Sequence, residues 1–138
     1  GRCSLLKNNF IKMLGEMFMK LGSKDLIVIH PEDLEWEDDT DLFTLPEGVQ
    51  IKMFSHDPET GRRDFYVRFP AGYVEPRHTH RGWHSNLIVE GEMHVDGQVL
   101  KAGDYLFGPG DEIAHGPLSY PMGCTIFTCF YGPTEHSH

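Results

Sequence analysis

The chain of 138 residues carries 12 Lys and Arg against 21 Asp and Glu, a formal charge of −9. That length suits one domain around one core, and that charge argues against nucleic acid, whose phosphates it would repel. Small molecules or a second copy of the chain are the expected partners, and with three cysteines (Cys3, Cys124, Cys129) in no Cys-x-x-Cys pair a disulfide scaffold is not expected and a cytoplasmic setting is.

No run of about 18 apolar residues offers a membrane span. Residues 1–25 read as an N-terminal extension. Apolar side chains in 5–21 recur at helical spacing, but Lys12, Glu16 and Lys20 interrupt them, which makes a poor signal peptide. An amphipathic extension fits better, or a remnant ahead of an original start at Met13 or Met19, and it carries no functional assignment. A single β domain is expected over 26–133, with a polar, disordered tail at 134–138.

Residues 26–30 form a short apolar run closed by Pro31 and predict a first strand. Seven of the ten residues from Glu32 to Asp41 are acidic, the pattern of a solvated loop, in which Trp36 is expected to pack on the domain. Residues 49–54 alternate apolar and polar, as a half-buried strand does. The turn formers of 55–61 follow, with His56 expected in solvent. Phe65, Val67 and Phe69 then define one apolar face.

The densest chemistry lies between Gly72 and Gly91, where His78, His80 and His84 fall within seven positions. Side chains two apart on a strand share a face, so His78 and His80 present both imidazoles together. Arg81-Gly82 predicts a tight turn that brings His84 back beside them. Three converging imidazoles point to a transition metal, whereas a lone histidine would more simply be a surface or core residue. The same period sends Val74 and Pro76 inward, with His84, Asn86 and Ile88 on the inner face of the next strand. Leu87 and Val89 then face outward and need cover, which makes a homodimer the expectation.

Residues 91–97 predict a hairpin around Asp96-Gly97, with His94 either in the cavity or on the surface. Residues 105–107 and 124–131 are the remaining strong strand signals. About ten short strands separated by turns, with no helix in the body, indicate an all-β barrel or jelly roll.

Gly72, His78, His80, His84 and Gly91 together resemble the first motif of the cupin superfamily, with histidine where that family usually has glutamate. Gly103, Pro109 and His115 resemble the second motif, although His115 stands one residue later than usual and Asp111 replaces a glycine. The resemblance implies a small single-domain cupin, a double-stranded β-helix or jelly-roll barrel. Its implied metal ligands are His78, His80, His84 and His115, around one divalent ion such as iron, nickel or zinc.

Four neutral imidazoles leave the metal's charge near +2, which favours an anionic or enolisable ligand in the two positions left by six-coordinate geometry. Histidine-rich cupins include oxygenases of diketones, hydroxyketones and thiols, so a dioxygenase-type oxidoreductase is the expected function. Two alternatives remain open: a metal-dependent isomerase or lyase acting on a hydroxy- or keto-acid, and a non-catalytic metal or ligand sensor. Phe65, Phe69, Phe107 and Phe127 are the expected aromatic walls, and no general base is assigned.

Overall fold

The computed structural model describes residues 26–40, 44–76, 79–80, 82–110, 117–132 and 136–137. After a single 3-10 turn at Pro31–Asp33 come β1 (Gln50–His56), β2 (Arg63–Phe69), β3 (Tyr73–Glu75), β4 (Thr79–His80) and β5 (Trp83–Val95). They are followed by β6 (Gln98–Lys101), β7 (Tyr105–Gly108), β8 (Leu118–Tyr120), β9 (Cys124–Tyr131) and β10 (His136–Ser137). The pairings are antiparallel, in the order β1-β2-β9-β5-β8-β3 with β6 and β7 also on β5, and the sheet curls into a half-barrel. The all-β jelly-roll class expected from strand count and turn spacing is the observed one.

β1, β2 and the first half of β5 bury alternate residues, as a sheet with one covered face must. Val49, Ile51 and Met53 meet Phe65, Val67 and Phe69, and these meet Ile126 and Ile88 to form the core. β5 has 13 residues and serves two sets of neighbours. Its first half pairs with β7 and β9, and its second half with β6 and β8. Between the halves, a bulge at Ile88/Glu90 shifts the register beside Gly91, whose φ is 82° and whose Cβ, if present, would overlap Gly123 O. The hairpin to β6 turns through Asp96 and Gly97 at φ 49° and 77°, the left-handed pair that a two-residue hairpin requires.

Several sequence expectations need correction. Residues 26–30 are not a strand; Leu26 and Val28 are largely exposed, and the segment leads into the 3-10 turn. Pro31 caps any ladder there by lacking a donor, and its own carbonyl accepts from Lys52 Nζ at 2.7 Å. On β3 the parity is the reverse of that expected. Val74 and Pro76 are exposed, whereas Tyr73 packs on the core and Glu75 accepts a hydrogen bond from Tyr120 Oη at 3.0 Å. The phase drawn back from the histidines fails because β3 ends at Glu75 and β4 begins anew at Thr79.

Of the tail, the described His136 and Ser137 pair with His80 and Thr79. β4 precedes β5 and β10 follows β9, so the β5–β9 ladder resumes as β4–β10 beyond a close approach of Gly82 to Gly132. His56, expected in a loop, instead ends β1 opposite Arg63 and is half-buried.

Two measurements check this architecture. A Cβ at Gly82 would overlap Tyr131 O, so Gly82→Ala should cost about 1–3 kcal/mol in urea unfolding. Gly72→Ala, which meets open space at a φ of 83°, should cost only about 1 kcal/mol. Burial, then the Arg63 charge, holds the His56 pKa below its ordinary 6.5. The unfolded chain therefore takes up that proton first. The contribution of His56 is present above about pH 6.5 and is lost as pH falls through the folded-state value. Unfolding midpoints measured from about pH 7 to about pH 5 should fall less steeply in His56→Gln than in the parent.

Candidate metal centre

The inner face of β5 carries His84, Asn86 and Ile88, all buried, while Leu87 and Val89 are exposed, as the period of the strand requires. His84 lies directly opposite Gly108 on β7 and Phe130 on β9. Its ring stacks on Phe130 with centroids 5.9 Å apart and 12° between planes. On its other side the ring fills the space that a side chain at residue 108 would take, for a Cβ there would overlap His84 Nε2. Gly108 is thus required by the imidazole beside it.

Asn86 fixes how that imidazole is turned. Its Nδ2 lies 2.7 Å from His84 Nδ1 and donates to Leu106 O at 3.2 Å, while its Oδ1 accepts from Thr128 Oγ1 at 2.9 Å. With Nδ2 donating to Nδ1, the proton of neutral His84 resides on Nε2. A metal on Nε2 would move that proton to Nδ1, and Asn86 would then present Oδ1 by turning its amide over. The Thr128 hydroxyl can serve either orientation. The Leu106 carbonyl cannot, so the turn costs one hydrogen bond, about 1 kcal/mol. On those terms the imidazole of His84 would suit a borderline divalent metal.

Across Phe130 from His84, on the same inner face, is a cation. Arg63, opposite Phe130, is buried with its guanidinium 5.9 Å from the Phe130 ring centroid, and Nη1 reaches Gly132 O at 3.4 Å. Desolvation pulls its pKa down. His84, Phe130, Arg63 and Asn86 thus form one continuous wall.

The four expected ligands are located unequally. His84 faces inward, His80 is placed by its backbone on β4, and His78 and His115 lie outside the described residues. Among the described residues no three His, Cys, Asp or Glu side chains converge as a metal cluster. Of the expected aromatic walls, Phe65 and Phe69 are interior, but Phe107 is half-exposed and Phe127 shares its outer face through Leu87 and Ser85. The ring that lies against His84 is Phe130. Sequence reading missed it together with Gly108 and Arg63; their common signal is cross-strand register with His84, which single-strand alternation does not carry.

His94 is half-exposed, with Nε2 3.1 Å from Glu92 Oε2. It borders a groove of about 400 Å³ with Asp96, Gln98 and Pro117, at the opposite end of β5 from His84. That groove holds no second cluster of ligands among the described residues. The two described cysteines are free, and burial first raises both thiols, Cys124 to about 12 and Cys129 to about 11, so both are protonated thiols in the neutral range. No helix among the described residues is long and apolar enough to cross a membrane.

The Asn86 contacts yield a direct test. Asn86→Leu removes the partner of His84 Nδ1, Thr128 and Leu106 at once. It should lower metal affinity about 10- to 100-fold and unfolding free energy by about 1–3 kcal/mol, read by competition with a chromogenic chelator and by urea titration.

No curated protein matches the sequence. Among solved structures, an RmlC-like cupin from Shewanella frigidimarina is 29% identical, with a TM-score of 0.59 over 78% of this chain and 91% of that one. An acetylacetone dioxygenase from Acinetobacter johnsonii is 21% identical, with a TM-score of 0.60 over 80% of this chain and 75% of that one. The complex of Rhodobacter sphaeroides SigE with the anti-sigma ChrR is 21% identical, with a TM-score of 0.56 over 80% and 54%. The latter two likenesses speak for the fold alone. The ChrR Cupin-like domain matches residues 24–134, and with that span, an all-β half-barrel and an inward histidine on its central strand, the chain belongs to the ChrR cupin-like family.

Proposed function

We propose that this cupin holds one divalent transition metal with His78, His80, His84 and His115 and binds a small enolisable ligand against it, for dioxygenase-type chemistry. The observation that carries the reading is His84: a buried imidazole on the central strand, turned inward, braced by Phe130 and Gly108 and hydrogen-bonded by Asn86. A bound divalent ion supplies Lewis acidity there and, as iron(II), a redox partner for oxygen. The rest falls to the chain's own residues. Phe130 offers an apolar face to a planar ligand, and the buried Arg63 guanidinium sets a positive potential that favours an enolate over its neutral keto form.

The second reading, a sensor, is favoured by the family itself, whose domain takes its name from ChrR, and by the neighbour in which ChrR is bound to SigE. It needs no exchangeable position on the metal.

Metal analysis and an oxygen electrode separate these readings. The parent protein should bind one equivalent of metal, and the His80→Ala, His84→Ala double variant should bind none in stoichiometric amount. Iron-loaded protein should consume oxygen with a β-diketone or hydroxyketone and stay silent when zinc-loaded. Metal content unchanged in the double variant would place the site elsewhere. Stoichiometric metal without turnover of any diketone, hydroxyketone, flavonol or thiol would favour the sensor, and turnover of a hydroxy- or keto-acid without oxygen uptake would favour the isomerase or lyase.

A further inference from the structure

Register sets His56, Arg63, Phe130, His84 and Gly108 side by side across β1, β2, β9, β5 and β7, in one row of the inner face. Directly opposed residues share a face and lie within reach of each other. In the next row Met53 and Phe65 are core residues, and the Asn86 and Thr128 side chains are bonded to one another. The His84 row therefore concentrates the polarity of the wall, with three basic side chains and no acidic one.

Two of these groups lie outside the expected metal ligands. Arg63 is 7% exposed, with its guanidinium 5.9 Å from the Phe130 ring centroid and Nη1 directed to Gly132 O at 3.4 Å. Gly132 abuts Gly82, which stands between His80 and His84 in sequence, so the cation is fixed beside the histidine-bearing stretch. His56 faces Arg63 from the end of β1 and is half-buried, at the rim of the row. Burial, then the Arg63 charge, lowers the His56 pKa, so the two groups act in one field.

We propose that Arg63, with His56 at the rim, binds a carboxylate of the ligand, which makes the substrate class an enolisable carbonyl compound carrying an acid group a few bonds from its chelating end. The chelating end rests on the metal centre proposed above; the acid end rests on the row alone. Arg63 and His84 stand on strands two apart, about 10 Å between backbones, and Phe130 fills the interval. The chain joining acid to carbonyl then crosses an aromatic surface. A guanidinium meets a carboxylate through two parallel hydrogen bonds, and in a wall shielded from water such bonds gain strength. A diketone without the acid reaches the metal end only.

The test titrates the full chain calorimetrically with 4,6-dioxoheptanoate, a β-diketone with a carboxylate two methylenes away, and with its neutral methyl ester, on zinc-loaded and metal-free protein. Zinc-loaded protein should bind the acid about tenfold or more tightly than the ester. Arg63→Gln should weaken the acid alone and bring the ratio to about one, and Arg63→Lys should restore part of it. His56→Gln should weaken the acid about threefold and leave the ester unchanged. Equal weakening of acid and ester in Arg63→Gln would make the arginine structural and overturn the proposal. A preference for the acid that survives Arg63→Gln would assign the carboxylate to the metal and overturn it too. If circular dichroism shows that Arg63→Gln does not fold, the parent and Arg63→Lys decide: equal affinity for acid and ester in the parent, binding of neither, or a ratio unmoved in Arg63→Lys overturns the proposal. Failure of the metal centre reads differently, as an acid preference that is the same with and without zinc and is still lost in Arg63→Gln, which sustains the acid end.

Discussion

The molecule depends on β5 reversing its side-chain phase where it changes partners. Thirteen residues in strict alternation would carry Glu90 and Glu92 inward after His84, Asn86 and Ile88, setting two carboxylates in an apolar core at a cost of several kcal/mol each. The bulge between Ile88 and Glu90 inserts one residue. Met93 and Val95 turn inward instead, and both are buried. Gly91 makes the bend feasible, because its left-handed backbone passes too close to Gly123 O for any side chain. The centre that holds His84 and the core around Met93 are thus two halves of one strand, joined by a single irregular step.

How much of this could be read from the sequence follows from where the information resides. Alternation within one strand was legible: His84, Asn86 and Ile88 inward, Leu87 and Val89 outward, Phe65, Val67 and Phe69 in the core. So was the Asp96-Gly97 turn, because only left-handed residues close that loop. Phase carried across a break was not. Val74 and Pro76 were placed inward by counting back from His78, yet β3 stops at Glu75 and its own parity is set by Tyr73 and Glu75 against β8. Pairings between distant segments were equally hidden. Phe130 and Gly108 flank His84 through registers spanning 46 and 24 positions, and no local pattern announces them.

Around His84 the wall is built by contrast of size. A flat aromatic ring stands on one side and a residue with no side chain on the other, so the imidazole is held in place without a charged neighbour on its own strand. Asn86 adds orientation at low electrostatic cost, since an amide can donate or accept where a carboxylate could only accept. A histidine held this way can keep its ring position while its proton moves between nitrogens.

The far end of the sheet holds a feature with a different use. Tyr120 is buried, stacked on Phe69 with centroids 4.1 Å apart and 2° between planes, and its hydroxyl donates to Glu75 Oε2. Burial first, and then the Glu75 charge, drive its pKa far above the ordinary phenol value. Exposed tyrosines ionise near pH 10 and absorb at longer wavelength when they do. In an alkaline spectrophotometric titration Tyr120 would stay silent until β3 and β8 part, so the protein carries its own optical marker of that pairing, at the opposite end of β5 from His84.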